Sequence, residues 1–210
     1  MSENGYNTKK GKTDMNRIFE YIFNCIPYML CSVPFIVIIR VITFLIRKKK
    51  PQNWFHEVGL LLFVMFCVGV ASQTFIPKIE YGNTTNFIIN QNVFGEINLI
   101  PGKIFSDTYH EWILNHDSLY LIINFIGNIC LFLPIGFFIS LLWENESMKK
   151  TVLISFIMTL SIELLQLPQA RGTDIDDLWI NVLGAVLGYF IYKILSKVSL
   201  VKTFFCKFKK

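Results

Sequence analysis

Five apolar blocks, at residues 21–39 (continuing to 46), 58–76, 119–142, 151–167 and 178–195, constrain this chain more than any other feature. Each approaches the roughly 20 residues that an α-helix needs to cross about 30 Å of hydrocarbon. Charge is gathered into short clusters between the blocks, whereas a soluble domain intersperses it along one face of each helix. The hydrophobic content of 53%, the 20 Phe and the mean hydropathy of +0.47 point the same way. The sequence therefore predicts an all-α, polytopic membrane helix bundle with about five transmembrane helices, a multi-pass protein of the cell membrane.

The first block is too long for a signal peptide and no small-residue cleavage site follows it, so it reads as a retained helix. Pro27 and Pro34 would kink it, and Arg40 would snorkel to one face. Around the blocks the chain divides into a basic tail (1–17), two helices with an outer segment (18–95), a three-helix domain (96–195) and a basic, aromatic C-terminal tail (196–210).

Orientation follows from Lys and Arg in the short loops. Arg47 to Lys50, then Lys149 and Lys150, then Lys193, Lys197, Lys202, Lys207, Lys209 and Lys210 fall on one side of a five-span chain. That side is expected to be the cytoplasm, with the C-terminus inside, and the N-terminus, the 77–118 segment and the 168–177 loop outside. Lys9, Lys10, Lys12 and Arg17 run against this assignment but are outnumbered. The net charge of +5 is thus a membrane signal and not a sign of nucleic-acid binding. The aromatics interleaved with Lys from Lys202 to Lys210 suit a tail on an anionic leaflet.

Cysteine and histidine carry little chemistry here. Cys25, Cys31, Cys67 and Cys130 sit within apolar blocks as small hydrophobes, and Cys206 lies in the basic tail, so no disulfide framework is implied. His110-Glu111 with His116 has a spacing of six, not the four that puts two histidines on one helix face. No cofactor and no metal is expected.

Polar residues inside the blocks form stripes. Ser155, Thr159, Glu163 and Gln166 recur at helical spacing, as do Asp177, Asn181, Gly184 and Gly188, and Asn124, Gly127 and Asn128 share one side of the third block. These stripes should face one another inside the bundle. Packing alone accounts for many such contacts, because small residues let membrane helices approach and interhelical amide bonds are worth only about 0.6–2 kcal/mol. Glu163 asks for more: an intramembrane carboxylate marks a functional site by default, and Arg171, across the turn at Pro168, is its nearest candidate partner. Thr173 or Asp174 can cap the last helix, with Asp177 returning the bond. Three aspartates in four positions, Asp174, Asp176 and Asp177, exceed what a cap requires.

Asn98-Leu-Ile-Pro101, Asn124-Phe-Ile-Gly127-Asn128 leading to Phe132-Leu-Pro134-Ile-Gly136, Ser161-Ile-Glu163-Leu-Leu-Gln166, Arg171, Asp174, Asp176-Asp177 and Asn181-Val-Leu-Gly184 with Gly188 resemble the VanZ-like family over about 96–192. Gly102 stands where that family usually has Phe. The resemblance implies a small bacterial membrane protein linked to resistance to teicoplanin, a lipid-tailed glycopeptide acting on cell-wall precursors outside the membrane. The ligand-binding candidates are Asn98, Asn124, Asn128, Glu163, Gln166, Arg171, Asp174, Asp176, Asp177 and Asn181, with Glu163, Asp176 and Asp177 as catalytic candidates. Arg171 would pair with phosphate or carboxylate.

Three function classes stay open. A resistance factor at the outer leaflet would lower the access of lipoglycopeptides. An enzyme would act on a lipid-linked cell-wall precursor, with Glu163 as base and the aspartates holding a divalent ion. A small lipid or solute transporter would use the polar stripes as its path. The expected partners are membrane lipids, with a lipid-linked precursor or a lipoglycopeptide as further candidates, and no nucleic acid. Whether any reaction is catalysed, and the oligomeric state, stay open.

Overall fold

The computed structural model describes residues 3–47, 53–74, 97–114, 122–145, 147–167 and 173–209, with side chains from residue 23 onward in the first helix. Seven α-helices follow in order: α1 (Glu3–Arg47), α2 (Trp54–Thr74), α3 (Lys103–Leu114), α4 (Gly127–Leu142), α5 (Met148–Gln166), α6 (Ile175–Leu195) and α7 (Ser199–Cys206). A wider π-type turn, Ile122–Ile126, leads into α4. Two short strands, β1 (Ile97–Asn98) and β2 (Thr173–Asp174), pair in parallel. The sequence assigns 1–17 to a tail, yet α1 begins at Glu3. Lys9, Lys10, Lys12, Met15 and Arg17 are good helix formers that extend the apolar helix backwards.

Two compact units share the chain, one from 1–50 with 64–76 and the other from 51–63 with 77–210. In the first, Gly69 of α2 faces the thioether of Met29 in α1, where an added Cβ would stand 3.0 Å from Sδ. Within α1, which carries Pro27 and Pro34, Ser32 Oγ donates to Met29 O one turn back (2.6 Å).

The second unit is built on α4 against α6. Asn128 meets Asp177, Leu133 meets Gly188 and Phe137 meets Tyr192, so the two helices run parallel. Contact is backbone to backbone: a Cβ on Gly136 would collide with the Ala185 carbonyl, one on Gly184 with that of Ile129, and one on Gly188 with that of Leu133. Small residues at such crossings replace the hydrophobic drive that lipid removes. Thr159 meets Asn181 and Glu163 meets Asp174, so α5 lies antiparallel to α6.

Among the described residues four helices are long and apolar enough to cross a membrane: Phe23–Ile46, Trp54–Thr74, Asn124–Leu142 and Ile175–Leu195. The sequence predicts a fifth, α5, which has 19 residues but carries Lys149, Lys150 and Glu163 and buries Thr151, Ser155 and Thr159. Its mean hydropathy is low because its polar side faces protein. It runs back along the parallel pair α4 and α6, joining the end of one to the start of the other.

At one end of this unit the start of α2, the end of α4 and α7 converge. Phe63 packs on Phe138 and Trp143, and His56 Nδ1 lies 2.7 Å from Phe208 O. The C-terminal segment, expected as a tail, instead folds into α7 and docks. Phe205 stacks on Tyr192 at 5.3 Å, while Lys207 and Lys209 lie over Phe55 and Tyr192. Lys149, Lys150, Lys193, Lys197 and Lys202 belong to this same end.

Candidate functional site

The opposite end gathers the polar candidates. Asn98 of β1 pairs in register with Asp174 of β2, and Asn98 Nδ2 donates to Asp174 Oδ1 (2.8 Å). Asn98 Oδ1 accepts from Ile100 N (3.1 Å), turning the chain into Pro101 and Gly102. Gly102 adopts a φ of +83°, a conformation open to glycine and strained for residues with a side chain.

That turn delivers the start of α3 to Asp176. The first N–H groups of a helix have no internal partner. Gly102 N donates to Asp176 Oδ1 (2.7 Å) and Ile104 N to Oδ2 (2.9 Å), so the start of α3 is capped by a carboxylate 74 residues distant in sequence. Trp179 Nε1 donates to Oδ1 as well (2.9 Å), and Asp176 is fully buried. Asp174 caps α6, its Oδ1 accepting from Asp176 N (2.9 Å). Two of the three aspartates thus hold helix starts, each on a different helix.

Asp177 does not return a capping bond: its Oδ1 accepts from Asn128 Nδ2 (2.6 Å), tying α6 to α4. Glu163, buried in the last turns of α5, accepts Asp174 N at Oε2 (3.2 Å), and its carbonyl accepts from Thr173 Oγ1 (3.4 Å). Glu163 lies near enough to Asp177 and Asp174 for their charges to repel. One turn deeper, Asn181 Nδ2 donates to Thr159 Oγ1 (2.8 Å). Asn181 Oδ1 and Thr151 Oγ1 are buried without a hydrogen-bond partner.

The structure therefore brings together Asn98, Asn128, Glu163, Asp174, Asp176, Asp177 and Asn181, along the α4–α5–α6 contact and its β1–β2 roof. Asn124 sits in the π-type turn before α4, and Gln166 ends α5; both are half-buried. Arg171, the cation assigned to Glu163, lies outside the described residues. Among the described residues no group of three or more His, Cys, Asp and Glu is arranged to hold a metal. Sequence reasoning missed the aromatic wall beside Asp176, where Phe105, Phe125 and Trp179 stand 6.0–6.4 Å apart. Trp179, three residues after Asp176, was the available signal.

Helices long and apolar enough to cross a membrane, and in the second unit backbone-close contacts, a polar seam and carboxylates at one end, define a polytopic membrane protein. Its sequence matches the VanZ/LLP1 family over residues 60–196, from within α2 to the end of α6. The chain belongs to that family. Neither a curated protein nor a solved structure matches it.

Proposed function

We propose that the protein works at the outer face of the cytoplasmic membrane and lowers susceptibility to lipoglycopeptides such as teicoplanin. The observation that carries this is the split of the second unit into a lysine-rich end and a carboxylate end. Lys149, Lys150, Lys193, Lys197 and Lys202 favour the cytoplasm, which leaves Glu163, Asp177 and the Asn98–Asp174 roof on the side where such drugs insert their lipid tails. Family membership supports the same reading.

Glu163 and Asp177 are the carboxylates not engaged in capping a helix, and they carry the functional assignment. Expressed in a susceptible Gram-positive host, the protein raises the inhibitory concentration of teicoplanin more than that of vancomycin, which lacks the acyl tail. Glu163→Gln and Asp177→Asn keep the protein inserted and lose the difference. Equal protection against both drugs, or full protection by both variants at normal expression, removes this reading.

A further inference from the structure

The amphipathic helix α3 presents its faces in the reverse of a water-soluble order. At about 100° per residue, Ile104, Asp107, Thr108 and Glu111 share one arc, and this mostly polar arc is the one turned toward protein: Ile104 is buried and the other three are half-buried. The outward surface has two parts. Phe105, Tyr109, Trp112 and Ile113 form an apolar arc, with Phe105 55%, Tyr109 59% and Trp112 61% exposed. Ser106 and His110 lie on the adjoining polar arc, joined at the helix end by Leu114. Three arcs, to protein, to apolar surroundings and to water, are the requirements of a helix in the interfacial layer of a bilayer.

The position of α3 supplies the occupant of that apolar arc. Asp176, in the first turn of the membrane-crossing α6, fixes the start of α3 through Gly102 N and Ile104 N. Phe105 stacks on Trp179, at 6.4 Å and 29°, and Trp179 heads the exposed stripe of α6 that continues through Leu183, Leu187 and Ile194. The apolar arc of α3 is therefore continuous with the lipid-facing surface of a transmembrane helix. With 12 residues α3 is too short to cross, and Tyr and Trp prefer the headgroup level.

We propose that α3 is a membrane-docking helix, lying along the bilayer surface at the carboxylate end of the bundle with Phe105, Tyr109, Trp112 and Ile113 inserted among the upper acyl chains. Asp176 then sets the depth at which the Asn98–Asp174 roof meets the headgroups.

Full-length protein with Trp54, Trp143 and Trp179 replaced by Phe, reconstituted in phosphatidylcholine–phosphatidylglycerol vesicles, leaves Trp112 as the sole reporter. Its emission is quenched by lipids brominated high on the acyl chains and several-fold less by aqueous iodide. Moving the reporter by Trp112→Phe with His110→Trp reverses the order. Iodide quenching at 112 as strong as at 110 places α3 in water, and protection of 112 from both quenchers places a protein surface over it; either overturns the proposal. If that background does not fold, Trp112→Cys and His110→Cys in a cysteine-free chain carry a nitroxide instead. Greater exposure to oxygen than to a water-soluble nickel complex at 112, and the opposite at 110, is then the expected result, and equal exposure at both overturns the docking.

Discussion

Asp176 and Asp177 are neighbours in the chain and about 100° apart around α6, and that angle separates their roles. Asp176 points to α3 and takes three donors, Gly102 N, Ile104 N and Trp179 Nε1; Asp177 points to α4 and takes the Asn128 amide. Asp176→Ala strands those three donors, of which Ile104 N is buried and Gly102 N and Trp179 Nε1 are part-buried. At about 1–3 kcal/mol for each buried donor left unmade, and with water reaching some of them, the loss is on the order of 3 kcal/mol. Asp174→Ala removes an N-cap that is only half-buried and should cost about 1 kcal/mol. Thermal unfolding in detergent micelles, followed by circular dichroism, should rank Asp176→Ala well below Asp174→Ala, and equal midpoints would contradict the capping of α3 from α6. The excess of aspartate over one cap was legible in the sequence. What the excess serves was not, because the second helix start lies 74 residues away and is joined only in three dimensions.

At the scale of elements, the α4–α6 contact decides whether the site exists, since α4 brings Asn128 and α6 brings Asp177 and Asn181. A methyl at Gly188 would fall on the Leu133 carbonyl, which cannot yield without moving α4. Forcing atoms into such a contact costs about 1–3 kcal/mol, more than the roughly 1 kcal/mol that Ala gains over Gly in helix propensity. Gly59 is the contrast: an added Cβ there meets Leu142 Cδ2 at 2.7 Å and Phe208 Cδ1 at 3.0 Å, ends of side chains that can turn. Gly188→Ala should therefore lower the unfolding midpoint and Gly59→Ala leave it nearly unchanged; similar midpoints would show that α4 and α6 are not in backbone contact. The apolar blocks and the small-residue spacing made these long helices legible, because a membrane demands about 20 apolar residues whatever their partners. Helices α3 and α7, with 12 and 8 residues, carry no such demand and depend on Asp176 and Tyr192 to hold them. The two-residue strands were beyond sequence reasoning, since Ile97 and Thr173 have no local reason to pair.

For the molecule as a whole, the bundle's polarity joins these scales. Parallel α4 and α6 with antiparallel α5 put the C-termini of α4 and α6 on the same side as the N-terminus of α5. The lysines of α5, α6 and α7 therefore share an end, and Glu163 shares the other with Asp174 and the start of α3. The internal geometry is compatible with two orientations, and the function proposed above requires the one that puts the lysine end in the cytoplasm, as the distribution of cationic loops favours. Three positions report on it without touching the site: Ser106 on the water-facing arc of α3, Ser147 before α5 and Ser199 at the start of α7, all exposed. In a cysteine-free chain carrying one Cys at a time, an impermeant maleimide added to intact cells should label Ser106→Cys alone, and Ser147→Cys and Ser199→Cys only after the membrane is opened. The reverse pattern would place Glu163 and Asp177 at the cytoplasmic face, beyond the reach of a drug that inserts from outside. Labelling at both ends in intact cells would mean that α5 does not cross, and would overturn the two-faced arrangement on which the proposed function rests.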